Sequence, residues 1–369
     1  MTRNVVPFSP DWVSPPGDTI LDLIDERGWT QTELARRLGY SLKHVNQLIK
    51  GLVPLSEELA ICLELVLGST ARFWLTREAQ YREGCIRLES LGNFKNWIPW
   101  LEKLPIHELM QYSVIPKRRV DEHSKPGIVE ECLRFFGVAS PDEWDDHYGA
   151  MQGFYRRSRI DQTDIGAISA WLRLGEQQAE TVETPKFDRS LFIKTLETIR
   201  TFTTLGPEVF EPMMRDLLRR AGVIFALVPA IPRSRVSGVA RWLSASRPLV
   251  QMSLYGKFND KFWFTFFHEA AHILLHDNEK KMVYLDDPAK DGFDSPEEHA
   301  ANGWAAEYLI PEKYEPELIR LNSQPGILSF ASKVGIHPGI IVGRLQYHQL
   351  IAYSKFNQLK VKFEFGKVK

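Results

Sequence analysis

Apolar positions between residues 19 and 84 recur at the three- and four-residue spacing of amphipathic helices, and short polar turns separate the apolar stripes. The first stripe ends at Gly28 and comprises Ile20, Leu21, Leu23 and Ile24. This pattern predicts a bundle of short helices in the amino-terminal part of the chain.

Capping residues divide the next stretch into two helices. Thr30 is placed to cap the first helix, and Glu33 stands three residues later, where the side chain of a capping box reaches back to the start of the helix. Gly39 closes this helix in the left-handed cap position, Ser41 caps the next helix, and Gly51 ends it. Two short helices joined by a glycine-containing turn predict a helix-turn-helix unit.

The second helix of such a unit presents its outward side chains to the DNA major groove. The residues predicted to contact bases are Lys43, His44, Asn46 and Gln47, and those close enough to meet phosphates are Arg36, Arg37 and Lys50. Residues 30–51 carry four basic side chains against one acidic, whereas 19–84 carry eight against nine, so the basic character is local. The alternative is a helix-turn-helix that serves packing or protein contact.

Residues 15–81 resemble the HigA-type antitoxin branch of the XRE-family helix-turn-helix proteins. The residues that carry the likeness include Gln31-Thr32-Glu33-Leu34-Ala35, Gly39, Ser41, Val45, Gly51 and Phe73-Trp74-Leu75. The resemblance implies that this segment binds operator DNA as a homodimer.

The middle of the chain is predicted to be helical with polar connections. The predicted helices are Trp97 to Leu104, Ile106 to Tyr112, Val129 to Phe136 and Ile168 to Gln178, and 182–185 forms a linker. After residue 187, two helices (Leu191 to Phe202 and Val209 to Arg220) precede three β-rich stretches at 223–228, 238–242 and 248–254. These stretches predict a small antiparallel sheet.

Length and composition place these elements in an ordinary globular protein. A chain of 369 residues favours two or three domains, and we predict 1–85, 86–186 and 187–369. The formal net charge of −1 gives no general attraction to nucleic acid or membranes. The chain has three cysteines without paired spacing, and it shows neither a signal-peptide pattern nor an apolar run of about 20 residues. These features predict a cytoplasmic protein that does not span a membrane.

An H-E-x-x-H pattern, His268-Glu269-Ala270-Ala271-His272, follows the apolar run 262–267. Positions i and i+4 of a helix share one face, so the two imidazoles can bind one metal ion. Glu269 then lies beside the open coordination position, where it can act as a general base. The motif predicts a metallopeptidase helix, and chance occurrence is the weaker alternative.

A third protein ligand is needed, and Glu298 is the better candidate. The helix predicted to begin after Ser295 turns Glu298 toward its apolar stripe, and Asn302 stands one turn later, placed to hydrogen-bond a ligand. Completion of a capping box with Ser295 is the alternative role for Glu298. His276, one turn after His272, is a less favoured ligand.

Residues 190–350 resemble the ImmA/IrrE metallopeptidase family. The likeness rests on Phe264 to His276, on Glu298 with Asn302 to Ala306, on Leu309-Ile310-Pro311 and on the closing segment 327–345. It implies His268, His272 and Glu298 as ligands of Zn²⁺ or another divalent metal, and Glu269 as the catalytic base. Ala271 departs from the glycine common in the family.

The resemblance also implies a protein substrate. We expect an endopeptidase that cleaves a specific repressor or toxin–antitoxin partner in a stress or mobile-element switch. The alternative is an antitoxin-like regulator whose metal domain senses or scaffolds without proteolysis. Candidate oxyanion-stabilising residues are Tyr308, Arg241 and His299. The predicted fold class is α+β and predominantly α, with a helix-turn-helix bundle, a helical middle region and a zincin-like metallopeptidase domain.

Overall fold

The computed structural model describes residues 13–148, 164–275, 284–286 and 296–365. The chain divides into two compact units: one contains the residues up to Ile98 and 121–127, and the other contains 99–120 and the chain from Ile128 onward. The predictions for His276 and Ser295 lie outside the described residues.

The amino-terminal unit is the helical bundle that the apolar stripes predict. Within the described residues its helices are α1 Pro16–Glu26, α2 Gln31–Leu38, α3 Leu42–Ile49, α4 Glu57–Leu67 and α5 Ala71–Asn96. Its core consists of the predicted inward side chains together with those of α4 and α5, among them Ile20, Leu34, Val45, Leu48, Leu63 and Trp74.

Side-chain caps delimit α2 and α3 where the sequence predicts them. Thr30 Oγ1 accepts a hydrogen bond from the Glu33 amide at 3.2 Å, and Ser41 Oγ accepts one from the His44 amide at 3.1 Å. Gly39 adopts φ 74°, the left-handed conformation that ends α2. These contacts confirm the predicted helix–turn–helix boundaries.

The predicted middle helices come next and lie mostly in the second unit. The first of them is a 3-10 turn, Ile98–Lys103, and the next elements are α6 Ile106–Gln111, α7 Lys125–Phe136, α8 at 141–148 and α9 Ile165–Glu180. The remaining elements are α10 Arg189–Thr201, α11 Pro207–Arg220, β1 Ile224–Leu227, β2 Gly238–Ser244, β3 Arg247–Met252, α12 Asn259–Leu275, β4 Tyr284–Asp286, α13 Pro296–Leu309, α14 Glu315–Leu318, α15 Gln324–Val334 and α16 Pro338–Tyr347.

The sheet is mixed, so the prediction of an antiparallel sheet is wrong for one pair of strands. The strand order is β1-β3-β2-β4, and β2 is antiparallel to both β3 and β4. A tight turn makes β2 and β3 antiparallel. Because β3 rather than β2 then lies beside β1, β1 and β3 are parallel, with Ile224 opposite Leu249.

A buried polar network attaches α9 to the sheet. Arg241 of β2 donates a hydrogen bond to Glu176 Oε1 at 2.6 Å, and Gln251 of β3 donates one to the Trp171 carbonyl at 2.6 Å. Gly175 allows this approach, since an added Cβ would lie 1.9 Å from Gln251 Oε1. The structure thus packs α9 against the sheet. The predicted division instead placed these residues in the connecting region 86–186. The three-domain boundaries remain a prediction.

The helix α12 packs on the face of the sheet opposite α9. Arg241 and Gly238 are an odd number of positions apart on β2, so they lie on opposite faces, and Gly238 contacts α12. In α12, 14 of 17 residues are buried. The candidate chemistry of this helix is therefore held inside the core.

No single helix in the described ranges is long and apolar enough to cross a membrane. Only α15 and α16 taken together reach the required length and composition, and a bend of 112° separates them. Their apolar side chains Ile327, Phe330 and Ile341 are buried in the core of the second unit.

Candidate metal centre and helix-turn-helix surface

Two residues of α12 and one of α13 bring three ligand atoms together. His268 Nε2 lies 3.0 Å from His272 Nε2 and 3.2 Å from Glu298 Oε2, and His272 Nε2 lies 3.3 Å from Glu298 Oε1. All three side chains are buried. The two halves of the predicted site, far apart in sequence, thus meet at one point.

The Glu298 carboxylate faces both histidines. Burial by itself raises the pKa of Glu298, but hydrogen bonds and charge from His268 and His272 outweigh burial and lower this pKa to about 2. Each carboxylate oxygen is directed at one imidazole. This arrangement favours the ligand role of Glu298 over the capping role.

Asn302 orients the first histidine. Its Oδ1 lies 3.0 Å from His268 Nδ1, so the amide oxygen accepts a hydrogen bond from that nitrogen. A neutral His268 ring that is protonated at Nδ1 carries a lone pair on Nε2. This is the predicted role of Asn302 in the shell around the ligands.

The arrangement fits a divalent cation. His268 Nε2, which carries the lone pair, lies 3.2 Å from Glu298 Oε2. Two electron-rich atoms at this distance repel each other unless a proton or a metal ion lies between them. Ligand atoms about 2.0–2.2 Å from a tetrahedral ion lie roughly 3.4 Å apart. The observed separations of 3.0–3.3 Å are close to this value. Imidazole and carboxylate donors accept several divalent ions, so the structure indicates a metal without identifying zinc.

Glu269 is fully buried and lies against strand β2. A Cβ atom at Gly238 would lie 2.7 Å from Glu269 Oε1 and 2.7 Å from Thr265 Cγ2. A side chain at position 238 would therefore force Glu269 or Thr265 to shift where the β2 backbone passes the candidate base. No local sequence signal reveals this contact, because Gly238 and Glu269 belong to different elements.

The structure does not bring Arg241 to the candidate centre. Its side chain leaves β2 on the face opposite Gly238, and its guanidinium is bound by Glu176. Strand alternation thus directs it toward α9. His299, which follows Glu298 on α13, is exposed.

Tyr308 is partly buried and packs against the core beside α10. Its ring stacks on Trp304 with centroids 4.5 Å apart and tilts against Phe267 at 5.1 Å. Burial and the negative charge of Glu197 raise the pKa of the Tyr308 hydroxyl to about 12, while Arg200 opposes the shift. The charges that act on this hydroxyl come from α10, so packing is the role that the structure supports.

The predicted DNA contacts lie on α3 and its flanks. The helix and the residue after it carry Lys43, His44, Asn46, Gln47 and Lys50. Lys43 and Lys50 are exposed, whereas the His44 ring stacks on Tyr40 with centroids 4.9 Å apart. The two lysines therefore have more freedom than His44 to reach DNA.

The two arginines of α2 are held by Glu33. Arg36 and Arg37 bind its carboxylate at 2.8 and 2.7 Å, and Arg37 also lies 4.1 Å from the Trp29 ring centroid. The predicted back-bond of Glu33 to the start of α2 is thus replaced, because bonds to charged guanidinium groups are stronger than one to a backbone amide. Hydrogen bonds from Arg36 lower the pKa of Glu33 to about 2. Desolvation opposes this shift, and Arg37 adds to it.

Comparison with known families assigns a class to each end of the chain. Residues 259–341 match the family model described as the IrrE N-terminal-like domain, and residues 20–74 match a helix-turn-helix model. The chain thus carries an XRE-type helix-turn-helix domain followed by an IrrE-like, metallopeptidase-like domain. The HigA subtype remains a prediction.

One curated relative resembles the helix-turn-helix segment. The uncharacterized HTH-type transcriptional regulator YddM of Escherichia coli (strain K12) is 35% identical over 60 residues, which are 16% of this chain and 64% of YddM. The match therefore covers slightly less than two thirds of that protein. No solved structure gives a significant match.

Removal of a ligand should remove the metal. We expect His272→Ala to lose the bound ion and Asn302→Ala to weaken metal affinity about 10–100-fold, because Asn302 orients a ligand. Elemental analysis of protein purified without chelator, followed by titration against a chromophoric chelator, measures both effects. His299→Ala is the matched control and should retain wild-type metal; equal metal in wild type and His272→Ala would contradict the site.

Proposed function

We propose that this protein is a DNA-binding transcriptional regulator with a zinc-dependent endopeptidase domain. The observation that carries the proposal is the convergence of His268, His272 and Glu298 beside the buried carboxylate of Glu269. Two histidines and one carboxylate are the protein ligands of many catalytic zinc sites, which keep one position open for water.

The residues of the centre suit peptide hydrolysis. A divalent ion bound by the three ligands would polarise a water molecule and the scissile carbonyl. Glu269 accepts the proton of the attacking water and passes it to the leaving amine. Asn302 holds His268 in the tautomer that leaves Nε2 available for binding.

The combination of domains supports a regulatory substrate. A helix-turn-helix domain on the same chain brings the peptidase to operator DNA, where repressors reside. We infer that the substrate is a specific repressor or a toxin–antitoxin partner, cleaved in a stress or mobile-element switch. We infer that the chain acts as a homodimer, since symmetric operators are read by two-fold symmetric dimers.

The Glu269→Gln variant tests turnover directly. We expect it to retain metal, because Glu269 is not a ligand, and to lose cleavage of a repressor or toxin encoded beside the gene and co-expressed with the protein. Immunoblots of the tagged substrate report cleavage. Glu312→Gln, an exposed change of the same chemistry, is the control and should cleave normally.

A different result would favour the second function. If wild type cleaves nothing while Glu269→Gln retains metal and promoter control, the protein is an antitoxin-like regulator whose metal domain senses or scaffolds. Elemental analysis and a promoter–reporter assay on the same strains separate this outcome from simple misfolding.

Gly238→Ala should impair cleavage without removing a catalytic group. The added methyl would collide with the side chains of Glu269 and Thr265, so the candidate base must shift or the strand must move away from it. We expect metal to be retained and kcat/KM to fall about 10–100-fold, the scale that small misplacements of catalytic groups produce. Gly303→Ala on α13 has open space around its Cβ and serves as the control. Wild-type kcat/KM in Gly238→Ala would contradict the proposed place of Glu269.

The DNA interface can be tested independently of the peptidase. Lys43→Ala and Gln47→Ala should weaken gel shifts of the gene's own upstream region, and the Lys43 variant should show a shallower salt dependence because it removes one positive charge from the surface that faces DNA. Lys95→Ala, an exposed change on α5, should bind normally. Unchanged shifts in both variants would assign the helix-turn-helix to protein recognition.

A further inference from the structure

A groove opens where the amino-terminal end of α12 meets strands β2 and β3. The groove is shallow and open to solvent. Its lining includes Ser237, Met252, Lys257, Phe258, Lys261 and Thr265. Nothing in the proposed hydrolysis uses these residues, although they lie close to the residues that do.

The groove adjoins the candidate base. Thr265 stands one helical turn before Glu269, and both side chains face Gly238, where an added Cβ would lie 2.7 Å from each of them. Ser237, the residue before Gly238 on the same chain segment, lines the groove. A peptide held with its scissile bond at Glu269 would therefore extend a neighbouring side chain toward this groove.

Two lysines give the groove its charge. Lys257 and Lys261 are both exposed, and within the described residues neither ammonium has a carboxylate oxygen within 4 Å. The stem of Lys261 lies over Gly256, since a Cβ at that glycine would be 2.6 Å from Lys261 Cδ. This packing holds Lys261 along the groove.

Nearby carboxylates are already engaged by other cations. Asp260 binds Lys360, and Glu364 binds Lys362. The charge of Lys257 acts on Glu364, but the hydrogen bond of that carboxylate goes to Lys362. Lys257 and Lys261 are therefore available for an external anion.

The walls suit a side chain with an apolar stem and a charged end. Met252 and Phe262 are buried in the wall, and Phe258 is half exposed beside them. Lys257 has a fixed backbone, since its amide donates to the Leu254 carbonyl at 3.1 Å and its carbonyl accepts from the Phe363 amide at 2.7 Å. A pair of cations beside an apolar wall complements a carboxylate on a short aliphatic stem.

The geometry points to a specificity subsite: this groove selects a glutamate or aspartate side chain of the substrate close to the scissile bond. The inference rests on the proposed peptidase function, because it takes a peptide as the occupant. Lys257 and Lys261 are its specificity-determining residues.

Binding tests the subsite without turnover. The metal-loaded full chain with Glu269→Gln is titrated with fluorescein-labelled peptides that differ only in their central residue: glutamate, aspartate, glutamine or lysine. We expect the acidic peptides to bind about three- to tenfold more tightly than the glutamine peptide, the range for partly exposed charge pairs. Adding Lys257→Glu and Lys261→Glu should reverse the order in favour of lysine. Lys194→Glu with Lys355→Glu, the same charge change on exposed lysines elsewhere in this unit, should leave the order unchanged.

Cleavage profiling provides the second measurement. The metal-loaded chain without the Glu269 change is given a proteome-derived peptide library, and cleavage sites are read by mass spectrometry. We expect acidic residues to be enriched at one fixed position relative to the cut, and the double Lys→Glu variant to replace them with basic residues.

The two measurements separate the subsite from the peptidase. Cleavage without acidic enrichment would overturn the subsite and leave the peptidase standing. Acid-selective binding that depends on the two lysines, without any cleavage, would support the subsite and overturn the peptidase. Equal affinity for all peptides, including no binding of any, would overturn the subsite.

Discussion

The structure of the second unit depends on compensating the polar groups buried in α12. His268, Glu269 and His272 lie in a helix of which 14 of 17 residues are buried, and an uncompensated buried carboxylate or imidazolium costs several kcal/mol. The partners come from α13: the Glu298 carboxylate faces both imidazoles, and Asn302 binds the remaining nitrogen of His268. A divalent ion among these groups would complete the compensation. The register of α13 against α12 therefore serves stability and candidate chemistry together.

Glu269 imposes a second constraint on the same helix. Its carboxylate lies so close to β2 that a Cβ at the facing position, Gly238, would displace it or the strand. The opposite face of β2 is held by a different polar network, in which Arg241 binds Glu176 of α9. The strand is thus fixed from both sides, by an ion pair on one face and by close backbone contact on the other. This arrangement makes β2 a rigid wall for the candidate centre, as precise catalysis requires.

The two proposed activities rest on separate cores. The helix-turn-helix has its own buried cluster, which includes Ile20, Val45 and Trp74, and its caps are all local. The metal ligands, the base and the lysine groove all belong to the other unit. Each set of substitutions can therefore change one activity while the other core stays intact.

The sequence by itself determined the features that depend on residues a few positions apart. The caps at Thr30 and Ser41 and the pairing of His268 with His272 on one helix face follow from local backbone geometry, and the helical stripe also identified Glu298. Tertiary structure alone decided the parallel pairing of β1 with β3, the diversion of Arg241 to α9 and the contact of Gly238 with Glu269. These features join residues of different elements. Their geometry depends on which faces of helices and strands pack together. The periodicity of apolar residues shows which face of an element is buried, but it does not show which other element covers that face.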